Sequence, residues 1–123
     1  MSLNQGFGSN KNAWQSNIST NNLIANQIIP FTSIYDPLSQ FNITTNKFTG
    51  KSKGYYLAYF LLATNTDPDI TSPDIRLNDV VYSTVINDVI ERIIFLNGST
   101  DNISFYSGNI VTATAIANIF KLY

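Results

Sequence analysis

Gly54-Tyr55-Tyr56-Leu57-Ala58-Tyr59-Phe60-Leu61-Leu62-Ala63-Thr64 contains the longest apolar run in the chain. Aromatic and bulky aliphatic residues favour a pleated surface, and the run is opened by a glycine, so it reads as a β-strand. It is far too short to cross a bilayer as a helix. A strand with one face in water alternates apolar and polar residues. Here Tyr55, Leu57, Tyr59 and Leu61 fill one face, while Tyr56, Ala58, Phe60 and Leu62 fill the other. In a two-layer sandwich only one face meets the core. The other needs a second cover, either a loop, the N-terminal segment or a neighbouring subunit. The subunit reading is favoured, because large apolar patches on small domains mark contacts.

Working outward, short apolar runs alternate with turn residues. Ile28–Tyr35 reads as a strand with a bulge or free edge at Pro30, and Asp36-Pro37 as a turn. Ser39–Ile43 and Lys47–Thr49 flank the turn Thr44-Thr45-Asn46. Gly50–Gly54 is a basic turn and 65–74 a loop. Ile75–Ile86 holds one or two strands, followed by Ile90–Leu96, a turn at Asn97–Asp101, Asn102–Tyr106 and Ala115–Tyr123. Val81, Val85, Ile86, Val89, Ile90, Ile93 and Ile94 also recur at helical spacing. Nearly all are β-branched and lose side-chain freedom in a helix, so strand, turn at Asn87-Asp88, strand is the expected arrangement. The expected fold is an all-β sandwich or barrel of about eight to ten short antiparallel strands.

Residues 1–27 are crowded with Asn, Gln, Ser and Gly, and read as an extended arm or linker ahead of a domain at 28–123. Trp14 stands out in that arm. A lone Trp docks on its own domain or on a neighbouring subunit.

The segments from Ile28 onward resemble the globular head of complement C1q, a member of the tumour-necrosis-factor jelly-roll superfamily. The resemblance rests on Ile29-Pro30-Phe31, Ile34-Tyr35-Asp36, Phe41-Asn42-Ile43-Thr44-Thr45-Asn46-Lys47-Phe48-Thr49 and Gly54-Tyr55-Tyr56. It continues through Ile93–Leu96, Asn97-Gly98, Asn102-Ile103-Ser104-Phe105 and the closing Ala117–Tyr123. It is loose over 65–90, where one strand is expected to be missing or merged, and no collagen-like stalk precedes it. The resemblance implies a jelly-roll β-sandwich assembling as a homotrimer through its central and last strands. The expected trimer interface is Tyr55, Tyr56, Leu57, Tyr59, Phe60, Leu61, Phe120 and Tyr123.

The chain carries a net charge of −1, with 12% charged residues, and this offers no footprint for nucleic acid. Met1–Asn12 has neither the basic region nor the apolar run of a secretory signal, and no membrane insertion is expected. With no cysteine and no histidine there is no disulfide, thiolate nucleophile or catalytic triad. Ser52 beside Lys51 and Lys53 reads as a solvated turn. Gly50-Lys51-Ser52 lacks the upstream glycine of a phosphate loop. Asp67, Asp69, Asp74 and Asp79 are hard oxygen ligands, but they lack the spacing of a calcium loop, so no metal is assigned. The sequons at Asn17, Asn42, Asn97 and Asn102 match the expectation for an Asn-rich chain. Tyr35, Tyr82 and Tyr106 are aromatic candidates for sugar contact, with core or interface packing the favoured role.

No enzyme and no cofactor are expected. The leading reading is the trimeric head of a viral or phage fibre, spike or vertex, on the virion surface. It would attach to a host cell-surface protein or glycan, with the N-terminal arm anchored in a capsid or tail protein. The alternative is a cellular C1q-like module, such as a spore-surface head or a secreted ligand.

Overall fold

The structure is a computed structural model that describes residues 11–20, 26–64, 73–84, 89–108 and 113–123. Its strands are β1 (Lys11–Thr20), β2 (Thr32–Tyr35), β3 (Phe41–Asn42), β4 (Lys47–Thr49), β5 (Gly54–Thr64), β6 (Asp74–Leu77), β7 (Val80–Thr84), β8 (Val89–Leu96), β9 (Asn102–Tyr106) and β10 (Ala113–Lys121). They form two five-stranded sheets, ordered β2-β1-β10-β5-β8 and β3-β4-β9-β6-β7. The strand pairings within each sheet are antiparallel. The chain switches sheets repeatedly, which is the winding of a jelly roll.

The segment read as an arm supplies β1, which lies between β2 and β10 inside the first sheet. Trp14 is completely buried. Its ring stacks between Phe41 (4.6 Å, 15°) and Phe105 (5.8 Å, 14°), with Phe31 edge-on at 5.5 Å. It therefore docks on its own domain and clamps the two sheets together. The local sequence hides this strand because its other inward positions are the small Ala13 and Ser16 and a half-buried Ile18. Ser16 pairs with Ala117, which pairs with the bulky Phe60. One row further, Trp14 pairs with Ile119, and Ile119 with Ala58. Large residues thus sit opposite small ones, and the layer fills without strain. The Ser16 hydroxyl is satisfied by donating to the Thr32 carbonyl.

Two expected strands are shortened for local reasons. Pro30 has no N–H to give a ladder, so Ile28–Tyr35 narrows to β2, with Ile28 in a single bridge to Tyr106. The Asp36 carboxylate accepts from the amides of Gln40 (2.8 Å) and Phe41 (2.9 Å), curling that segment and leaving β3 with two residues. Asn42 Oδ1 accepts from Thr44 N and Thr45 N, and Asn46 takes φ 61°, so the turn is written in asparagine.

The described residues between β5 and β8 form two strands, β6 and β7. Of the residues at helical spacing, Val81 belongs to β7, and Val89, Ile90, Ile93 and Ile94 belong to β8. Positions 85–88, including the expected turn at Asn87-Asp88, lie outside the described residues.

The β8–β9 turn is built by Asn97, whose Oδ1 accepts from the amides of Ser99, Thr100 and Asp101. Gly98 follows at φ 83°, where a Cβ would collide with the backbone of Ser52 and Lys53. Both the angle and the space exclude a side chain, so Gly98→Ala is expected to cost about 2 kcal/mol. Chemical denaturation of the variant measures this directly.

Candidate functional site: the outer face of the first sheet

Pleating sends alternate residues of β5 to opposite sides. Tyr56, Ala58 and Phe60 point inward and are buried, together with Ile90 and Ile94 of β8 and Ala115, Ala117 and Ile119 of β10. Tyr56 and Phe60 were expected at the subunit interface. They belong to the sandwich core: Phe60 packs on Phe105 at 5.1 Å, and the Tyr56 hydroxyl donates to the Ser52 carbonyl at 2.6 Å. A one-residue parity decides this, and composition alone cannot reveal which face turns inward.

The other parity makes the outer face. Leu57 sits between Phe120 of β10 and Ile93 of β8. Leu61 sits between Ile116 and Val89. Tyr55 pairs with Phe95, their rings 5.3 Å apart, and Tyr123 closes on Tyr55 at 5.8 Å. Ile93, Phe95 and Tyr55 remain 56%, 45% and 45% exposed, and Tyr123 80%. Leu57, Leu61, Ile116 and Phe120 between them are half-buried. Of the eight expected interface residues, the structure gathers Tyr55, Leu57, Tyr59, Leu61, Phe120 and Tyr123 here. It adds Ile93, Phe95, Val89 and Ile116, which the sequence reading missed. The signal for those four is register: each stands opposite an outward residue of β5, and that is visible only once the pairing is known.

The C-terminus is drawn tightly onto this sheet. Tyr55 N donates to Tyr123 O at 2.7 Å, and Leu122 N to Tyr55 O at 2.8 Å. A Cβ at Gly54 would meet the Tyr123 backbone, so glycine is what lets the last residues close over β5.

A polar row crosses the apolar field: Gln15, Asn118, Tyr59 and Glu91 are successive cross-strand partners on β1, β10, β5 and β8. Asn12 Nδ2 donates to Gln15 Oε1 at 3.0 Å at its end. Asn118 Oδ1 and Asn12 Oδ1 are shielded from solvent and have no hydrogen-bond partner.

The remaining candidates are dispersed. Lys51, Ser52 and Lys53 are exposed, and the Ser52 hydroxyl lies 3.2 Å from the Tyr56 hydroxyl. Asp74 pairs with Arg76 (2.8 Å), and Asp79 with Lys47 (2.8 Å). Asp67 and Asp69 lie outside the described residues. Among the described residues no group of carboxylates is placed to hold a metal ion. The hydrogen bond to Asp74 raises the Arg76 pKa above its usual value, against the opposing effect of burial. Its guanidinium lies 3.6 Å from the Tyr106 ring centroid, so Tyr106 has a packing role. Tyr35 and Tyr82 are exposed rather than packed in the core. A cleft of about 510 Å³ lies where Tyr35, Pro37 and Leu38 approach Tyr56 and Lys121. The Lys121 ammonium sits 5.5 Å from the Tyr56 ring centroid there. Of the sequons, Asn97 has its side chain committed to its own turn, and Asn17 and Asn42 are exposed.

No protein-family model matches this sequence, and no curated protein shows significant similarity to it. The fold does have solved counterparts. The globular domain of zebrafish complement 1qA protein superposes with a TM-score of 0.71 at 18% identity, covering 92% of this chain and 98% of that one. The chain therefore has the jelly-roll fold of that C1q globular domain.

Proposed function

We propose that the chain is a non-enzymatic binding head that works as a homotrimer, closed through the outer face of the first sheet. The observation that carries this is the exposure of Tyr55, Val89, Ile93 and Phe95 on the outward face of the first sheet, beside half-buried Leu57, Leu61 and Phe120. An open apolar face of this extent on a small domain is stabilised by burial against another copy. The likeness of the fold to a C1q globular domain supports a recognition role. The composition supports it as well: the side chains that most often carry proton transfer, thiolate chemistry and metal ligation, His and Cys, are absent from the sequence.

The head displays its loops on a virion as a fibre, spike or vertex protein, and engages a host cell-surface protein or glycan. The segment ahead of β1 joins it to a capsid or tail protein. The test is binding of the purified chain to a glycan array and to cells, detected through one introduced cysteine, for which the native sequence offers no competitor. A trimer presents three sites at once, so a monomeric variant is expected to bind about a hundredfold more weakly to a surface while keeping its affinity for a single soluble ligand. Equal surface binding by monomer and trimer would contradict the reading, and binding to a spore or animal-cell component alone would move the protein to the cellular alternative.

A further inference from the structure

The cleft where the β2–β3 connection meets the ends of β1 and β10 plays no part in the trimeric contact. Its volume is about 510 Å³, within the range of pockets that hold small molecules. Tyr35, Pro37 and Leu38 give it an exposed apolar rim. Ala13 and the Tyr56 ring, both buried, complete the apolar lining. Two donors in this setting have no acceptor among the described residues. Gln40 is only 5% exposed, and its Oε1 accepts from Lys51 N at 2.9 Å. Its Nε2 has no such partner and is not among the shielded atoms. The Lys121 ammonium lies 5.5 Å from the Tyr56 ring centroid and joins neither of the ion pairs among the described residues.

Charge around the cleft is one-sided. Lys11 stands directly opposite Lys121 in the β1–β10 pairing, and like charges so placed on neighbouring strands are unfavourable. Lys51 and Lys53 flank Ser52, which also lines the cleft. No acidic residue lines it. The carboxylate of nearby Asp36 is taken up by the amides of Gln40 and Phe41. Lys11, Lys51, Lys53 and Lys121, four of the chain's seven basic residues, therefore fall at or next to lining positions.

We infer that the cleft binds a small amphipathic carboxylate. Its apolar body lies against Tyr35, Pro37 and Leu38, and its carboxylate accepts from the Lys121 ammonium and Gln40 Nε2. A neutral ligand leaves Lys121 unpaired. A bare inorganic anion leaves the apolar rim unused, and a sugar acid brings hydroxyls against a lining with few partners for them. The site is independent of the trimeric reading.

Two-dimensional NMR of the full chain, titrated with octanoate, its uncharged counterpart octanol, glucuronate and inorganic phosphate, tests this. Octanoate is expected to shift the amides of Leu38, Gln40 and Lys121 saturably, and to bind at least about tenfold more tightly than the other three probes. Lys121→Met keeps an apolar stem without the charge and is expected to weaken octanoate about tenfold. Gln40→Glu keeps an acceptor for Lys51 N but puts a negative charge where the donor was, and is expected to abolish binding. Lys47→Met makes the same charge change at the distant Asp79 pair and is expected to bind as the wild type does. The comparison of probes on the wild-type chain decides the question even where a variant fails to fold. Octanol binding as tightly as octanoate, glucuronate or phosphate binding more tightly, or no saturable shift with octanoate would each overturn the proposal. So would a folded Lys121→Met chain with undiminished affinity.

Discussion

Leu57→Arg is expected to turn a three-subunit particle into a folded monomer. Leu57 lies at the centre of the outer face, between Phe120 and Ile93. In a lone chain an arginine there can lay its stem along the apolar surface and keep its guanidinium in water. In the trimer three such charges are brought into a largely apolar interface, with Glu91 a register row away beside Tyr59. Burying an unpaired charge costs several kcal/mol, so the assembly constant is expected to fall by at least about a hundredfold. Light scattering across a concentration series measures the fall, and circular dichroism checks that the sandwich persists. A trimer of unchanged stability carrying Leu57→Arg would show that this face is not the contact.

Trp14→Ala is expected to be the most damaging single truncation in the core. The indole is sandwiched by Phe41 and Phe105 and touched edge-on by Phe31, so its removal empties the joint between the sheets. Large-to-small changes of this kind cost about 4 kcal/mol. For a domain of this size that corresponds to a fall of about 15 °C in melting temperature. Trp14→Phe keeps one ring in the stack and is expected to lose about half as much. A Trp14→Ala protein that melts within a few degrees of the wild type would mean that β1 is dispensable to the sandwich.

The strand content was readable wherever side chains alone dictate it. Gly54–Thr64 is apolar on both parities and has no other stable home than a sheet with two covered faces. Lys47–Thr49 and Asn102–Tyr106 agree with the sequence reading to the residue, since asparagine and glycine turns bound them. β1 escaped because its inward residues after Trp14 are a serine and a half-buried isoleucine, matched to bulk on the neighbouring strands. That match is a property of three strands together and is absent from any one of them. The candidate site followed the same division. That β5 has two apolar faces was legible in its composition. That Tyr56 and Phe60 look inward while Ile93 and Phe95 join Leu57 outside depends on register, which is set by long-range pairing. The unpartnered Oδ1 of Asn118 was beyond reach for the same reason, because an asparagine in an Asn-rich chain carries no mark of its burial.

The central claim is that the outer face of the first sheet is a subunit contact, and sedimentation equilibrium of the purified wild-type chain tests it most directly. The account predicts a single species at about three times the 13.7 kDa chain mass, persisting on dilution through the micromolar range. A species of one chain mass at every concentration would contradict it.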